Sequence, residues 1–149
     1  MSKKREIPDI SEKIAKLETV MVELQAEAAG DIRVVKGDFE ENFNRSYLEL
    51  KWLDKAMYWK KHLDSAKDIL SKTTAESSTR LVEDALYNIT DKQLKMKIDA
   101  DDMVRTYQKQ QQFVEYIHGY CVAIKDILKG QKFEIRDHLA YLKFKNGVD

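Results

Sequence analysis

Apolar residues recur along this chain in steps of three and four, and period-two alternation is missing. Ile10, Ile14, Leu17, Met21, Leu24 and Ala28 alternate between those two steps. Such a series lies along one face of an α-helix. Asp9 and Glu12 stand before it as a capping box, and Gly30 is placed to cap its end. The seam fits an amphipathic helix of a bundle. It fits a coiled coil between subunits equally well, because both bury the same stripe.

Asp31 to Gly37 reads as a linker, and Asp38 with Glu41 repeats the capping pattern. The longest predicted helix follows, from Phe39 to Lys72. Phe39, Phe43, Tyr47, Leu50, Leu53 and Met57 form one apolar line on it. Leu48, Trp52, Ala56, Trp59, Leu63, Ala66 and Leu70 form a second. Two adjacent lines predict contact with more than one neighbour. Thr73 to Thr79 (TTAESST) is small and polar throughout and predicts a loop. A short helix from Arg80 to Tyr87 comes next, and Thr90 with Gln93 caps a further turn or two. Asp99, Asp101 and Asp102 open a heptad helix through Val104, Tyr107, Gln111, Val114, Ile117, Cys121, Ile124 and Leu128. Gly130 is expected to interrupt it. A last short helix carries Ile135, Leu139 and Leu142, flanked by Phe133 and Phe144.

The expected fold is therefore all-α, an elongated helical bundle with coiled-coil-like heptad helices, organised as one domain. Its expected parts are a leader (1–8), a two-helix region (9–72), a polar loop with short helices (73–100), and C-terminal oligomerisation helices (101–149). Composition agrees: 35% of residues are charged, with one proline and five glycines, so turns are few and helices long.

Charge and cysteine content narrow the function. The formal net charge is zero, so any nucleic-acid binding must use a local patch. One cysteine, Cys121, permits no internal disulfide and suits a reducing compartment. The N-terminus has no signal-peptide core and no apolar run has membrane-spanning length, so a soluble intracellular protein is expected. His118 and Cys121 share a helix face at half-zinc-site spacing, but no second pair accompanies them and His62 and His138 are solitary. The aspartates at 99, 101 and 102 could hold magnesium, yet a helix N-terminus explains them more simply. No Gly-rich phosphate loop and no Ser, His and acid constellation stands out. No metal, no cofactor and no enzyme activity are expected.

Basic residues cluster twice. Lys55, Lys60, Lys61, Lys67 and Lys72 lie on the long helix with Tyr58 and Trp59 among them, and Arg80 follows. Cations interleaved with aromatic rings suit single-stranded nucleic acid. Lys125, Lys129, Lys132, Arg136, Lys143 and Lys145 form the second cluster. Either can also be a solvated face with salt bridges such as Asp64 to Lys60 or Asp68 to Lys72.

Two blocks resemble the UvsY family, the recombination mediators of tailed phages. One is KWLDK (Lys51–Lys55) with WKK (Trp59–Lys61). The other runs from ADDMV (Ala100–Val104) through GYC (Gly119–Cys121) to KFEIRDHLAYLKFKNG, ending at Gly147. From Lys51 to Gly147 the two blocks span about two thirds of the chain. The chain departs from the family pattern in its heptad helix ahead of KWLDK and in its lysine-poor TTAESST. The resemblance implies a homo-oligomeric ring or barrel that binds single-stranded DNA. It also implies help in displacing the single-strand DNA-binding protein and in loading a RecA-like recombinase of the UvsX type, without a cofactor of its own. It further implies a phage-encoded protein working in the host cytoplasm in DNA recombination and repair.

Lys60, Lys61, Lys67, Lys72 and Arg80 are the expected DNA contacts. Ile117, Ile124, Leu128, Phe133, Ile135, Leu139 and Leu142 are the expected oligomerisation residues, joining more than two subunits. The competing reading is a coiled-coil scaffold or adaptor whose partners are all proteins.

Overall fold

The computed structural model describes residues 9–33, 39–85 and 88–147, with the backbone alone for 39–43. These residues form four helices and no strand: α1 (Ser11–Asp31), α2 (Phe39–Glu83), α3 (Asp91–Asp99) and α4 (Asp102–Lys145). The all-α expectation holds. The expected leader, the Asp38 cap, Tyr87 and the side chains of Phe39 and Phe43 lie outside what is described.

The chain groups into two compact units. The first comprises the chain up to Glu18 and Lys61–Tyr116; the second comprises Thr19–Lys60 and the chain from Ile117 on. In the first unit Ile10, Leu63, Ala66, Met103, Val104 and Val114 are buried. In the second the core is Met21, Leu24, Ala28, Leu48, Trp52, Ala56, Ile117, Cys121, Ile124, Leu128 and Ile135. These are the predicted seams of α1 and α4 and the second line of α2.

Three expected breaks are corrected. α1 runs through Gly30, so that glycine is not a C-cap; side chains of the second unit hold the helix end instead. Arg45 donates from Nη1 to the Asp31 carbonyl, and Gln131 Nε2 donates to the Ile32 carbonyl at 3.2 Å. The helix end thus receives donors from two neighbouring helices.

TTAESST is not a loop but the continuation of α2. Thr73, Thr74 and Thr79 return their hydroxyls to the carbonyls of Ile69, Leu70 and Ala75 at 2.8, 2.8 and 3.1 Å. Polar groups that compete with the helix are thereby absorbed by it. Thr73 and Ser77 are buried and prolong the Leu63–Ala66–Leu70 line with small side chains.

Gly130 does not interrupt α4, which runs to Lys145. Leu128 and Ile135 are both buried, one on each side of it, and that packing holds the backbone helical. Gly147, at φ 68°, lies just beyond this helix in the left-handed conformation that glycine tolerates.

The caps fall largely where expected. Thr90 and Gln93 form a reciprocal capping box at 3.2 and 3.3 Å before α3. Asp101 caps α4, accepting from the Met103 and Val104 amides at 2.8 and 3.4 Å. Asp9 accepts from the Ser11 amide at 2.9 Å, while Glu12 pairs with Lys16 at 3.5 Å.

Candidate nucleic-acid interface

The KWLDK block sits inside the second unit, and its charges are used there. Lys51 contacts Glu27 at 2.7 Å and Asp31 at 2.8 Å, and Lys55 contacts Glu27 at 3.2 Å. The buried Trp52 donates its indole N–H to Asp31 at 2.8 Å, and Lys55 lies 5.6 Å from the Trp52 ring centre. As the partners on α1 advance from Glu27 to Asp31, those on α2 retreat from Lys55 to Arg45. The two helices are antiparallel there. Partial burial works against charge on Glu27 and Lys51. The surrounding bonds outweigh it, holding Glu27 below the usual carboxylate range and Lys51 above the usual lysine range. Lys55, read as a cation of the DNA cluster, is therefore a structural partner of Glu27.

The other α2 cations differ from it. Lys60, which ends the second unit's share of α2, is exposed. In the first unit Lys61, Lys67 and Lys72 are exposed. Lys61 and Lys72 are eleven residues apart, so they share a face within roughly 20° and stand roughly 16 Å apart along the axis. Asp64 and Asp68 lie on the same outer side and reduce its field. Arg80 has a partner within the first unit. Its Nη2 meets the Asp101 carboxylate at 2.5 Å, and Ser77 donates to the same oxygen at 2.6 Å.

Among the α4 cations, Lys132 pairs with Glu49 at 2.8 Å and Lys125 with Asp126 at 3.4 Å. Lys129, Arg136, Lys143 and Lys145 are exposed.

The expected oligomerisation set divides in two. Ile117, Ile124, Leu128 and Ile135 are at most 4% exposed within the chain's own second unit. They are core, because α1 and α2 cover the α4 seam, so one subunit buries these four by itself. Leu139 and Leu142 are half-buried and Phe133 is exposed. Apolar surface is also left open on the first α2 line. Tyr47, Leu50 and Met57 are 64, 61 and 57% exposed, and Leu53 is exposed beside them. The two-line pattern of α2 carried that signal. The buried Arg45 and the Asp31 cluster gave none, since neither residue departs from the local helical pattern.

Tyr58 and Trp59 meet edge to face at 5.4 Å beside a groove of about 400 Å³ lined also by Val20, Glu23, Leu24 and Asp54. Cys121 is buried and its thiol is pushed up to about 11, chiefly by that burial, so it is no nucleophile. Among the described residues no group of three or more His, Cys, Asp or Glu is placed to hold a metal ion. Nor is any described helix long and apolar enough to cross a membrane.

The described residues define an all-helical protein with exposed lysines on α2 and α4. Comparison with known protein families, with characterised proteins and with solved structures finds no match.

Proposed function

We propose that the chain is a recombination mediator that binds single-stranded DNA as a homo-oligomer. In this role it helps displace the single-strand DNA-binding protein and loads a RecA-like recombinase. The observation that carries the reading is the set of exposed lysines on α2: Lys60 in the second unit, next in sequence to the half-exposed Trp59 and the exposed Tyr58, and Lys61, Lys67 and Lys72 in the first unit. Lysine heads contact phosphates and aromatic faces stack on bases without reading sequence. A neutral subunit with one small patch binds a strand weakly; repeating the patch around an oligomer multiplies weak contacts through effective concentration. The open α2 line of Tyr47, Leu50 and Met57 supplies apolar surface for that assembly.

The same open line also favours a scaffold with protein partners only. Binding to oligo-dT separates the two: a mediator binds with affinity that falls steeply as salt rises, and a scaffold does not bind. Replacing Lys60 and Lys61 with Ala should weaken binding. It should also make the slope of log affinity against log salt shallower by about 0.7 per lost phosphate contact. The oligomer should persist, because both side chains face solvent. Unchanged affinity and slope would remove these lysines from the site.

A further inference from the structure

The C-terminal part of α4 has a second face adjoining its buried line, centred roughly 120° around the helix from it. Leu128 and Ile135 are buried and Leu139 and Leu142 half-buried on one side. On the other, Lys129, Phe133, Arg136, Ala140, Lys143 and Phe144 fall within an arc of roughly 100°. All six are exposed. Asp137 borders the arc.

The two rings on this face are open to solvent, Phe133 at 44% and Phe144 at 85%. Burying neither, the chain leaves two large apolar planes in water, among cations. The Arg136 guanidinium lies 4.7 Å from the Phe133 ring centre, so ring and guanidinium form one stacked unit. Lys129 and Lys143 flank the rings. Phe133 and Phe144 are eleven residues apart and so share a face. Their separation of roughly 16 Å leaves room for several nucleotides of a single strand between the two rings.

We propose that this face of α4 is a binding site for single-stranded nucleic acid. Phe133 with Arg136, and Phe144, are its stacking platforms, and Lys129 and Lys143 hold its phosphates. The inference rests on the reading of the chain as a single-strand binder and adds a site that α2 does not contain. Charge and ring chemistry select the occupant. A cationic arc fits a polyanion, and two separated aromatic planes fit bases, each of which has a π-face. A membrane surface fits poorly, because an interfacial helix needs a broad apolar face and here cations interrupt the arc between the rings.

The test is fluorescence anisotropy of labelled oligo-dT across a salt series, with sedimentation of each variant. Phe133→Leu/Phe144→Leu keeps apolar side chains and the helix but removes the ring planes. Its affinity should fall about tenfold or more, with the salt slope unchanged, since no phosphate contact is lost. Arg136→Lys keeps the charge and loses the planar stack; it should weaken binding less and also keep the slope. Lys129→Ala/Lys143→Ala should instead flatten the slope by about 0.7 per contact. Wild-type binding that the Phe pair leaves intact overturns this site while leaving the α2 reading standing. A smaller oligomer in the Phe pair overturns it too, by making the face a subunit contact. So does wild-type binding to phosphatidylserine vesicles that the Phe pair abolishes. Absence of wild-type binding to oligo-dT overturns the parent reading and this site together.

Discussion

Asp101 joins two helices of the first unit, and its removal gives a measurable prediction. Its carboxylate accepts from Ser77 at 2.6 Å, from Arg80 at 2.5 Å, and from the Met103 and Val104 amides that open α4. Asp101→Ala removes the N-cap, which costs about 1 kcal/mol. It leaves the fully buried Ser77 hydroxyl without its acceptor, at about 1–3 kcal/mol. It also unpairs Arg80, whose side chain is 38% exposed and adds at most about 1 kcal/mol. A loss of about 3 kcal/mol is expected. Asp101→Asn keeps one acceptor oxygen for the cap, but its amide nitrogen replaces the oxygen that Ser77 and Arg80 share and the charge is lost, so it should cost about 1–3 kcal/mol.

The pH response adds a second readout. Partial burial raises the Asp101 pKa, but the Ser77 bond, the two amides and Arg80 together hold it below the ordinary 3.8. A carboxyl whose folded pKa is lowered stabilises the fold above its unfolded pKa, and that contribution fades as pH falls through the folded value. The gap between wild type and Asp101→Asn should therefore be full at neutral pH and shrink below about pH 4. Urea unfolding followed by far-UV circular dichroism measures both. An Asp101→Ala variant within about 0.5 kcal/mol of wild type would refute the reasoning. A gap to Asp101→Asn that does not change with acid would show that Asp101 is not the titrating group.

Gly130→Ala should stabilise the protein by about 0.5–1 kcal/mol, because the position is helical and nothing stands within 4 Å of an added Cβ; thermal melting that falls instead would restore the expected break. Ile124→Ala should destabilise by about 2–5 kcal/mol at every protein concentration, as a core cavity does. A loss that disappears when the protein is concentrated would mark Ile124 as an interface residue after all.

Periodicity made the helices legible. Spacing alone placed Ile10, Met21, Leu24 and Ala28 on a buried seam, with Trp52, Leu63, Ile117, Cys121 and Leu128 on others. Burial repeats every three or four residues in any amphipathic helix, so the pattern survives whatever the partner. The Thr90 box and the Asp101 cap were legible for a similar reason, since each is completed within four residues. Helix continuity was not local. Thr73 and Ser77 look like loop residues until a close-packed neighbour and Asp101 give their small polar side chains a place, and Gly130 looks like a break until flanking burial holds it. The partner of each charge was likewise settled only in three dimensions. Sequence counts Lys51, Lys55, Lys61 and Arg80 alike as cations. Folding brings Glu27 and Asp31 to the first two and Asp101 to the last, from 20 or more positions away, and leaves Lys61 in water. The same holds for the apolar residues: composition makes Tyr47 and Leu48 equally suited to a core, and only the packing of α1 and α4 against one side of α2 buries Leu48 and leaves Tyr47 open.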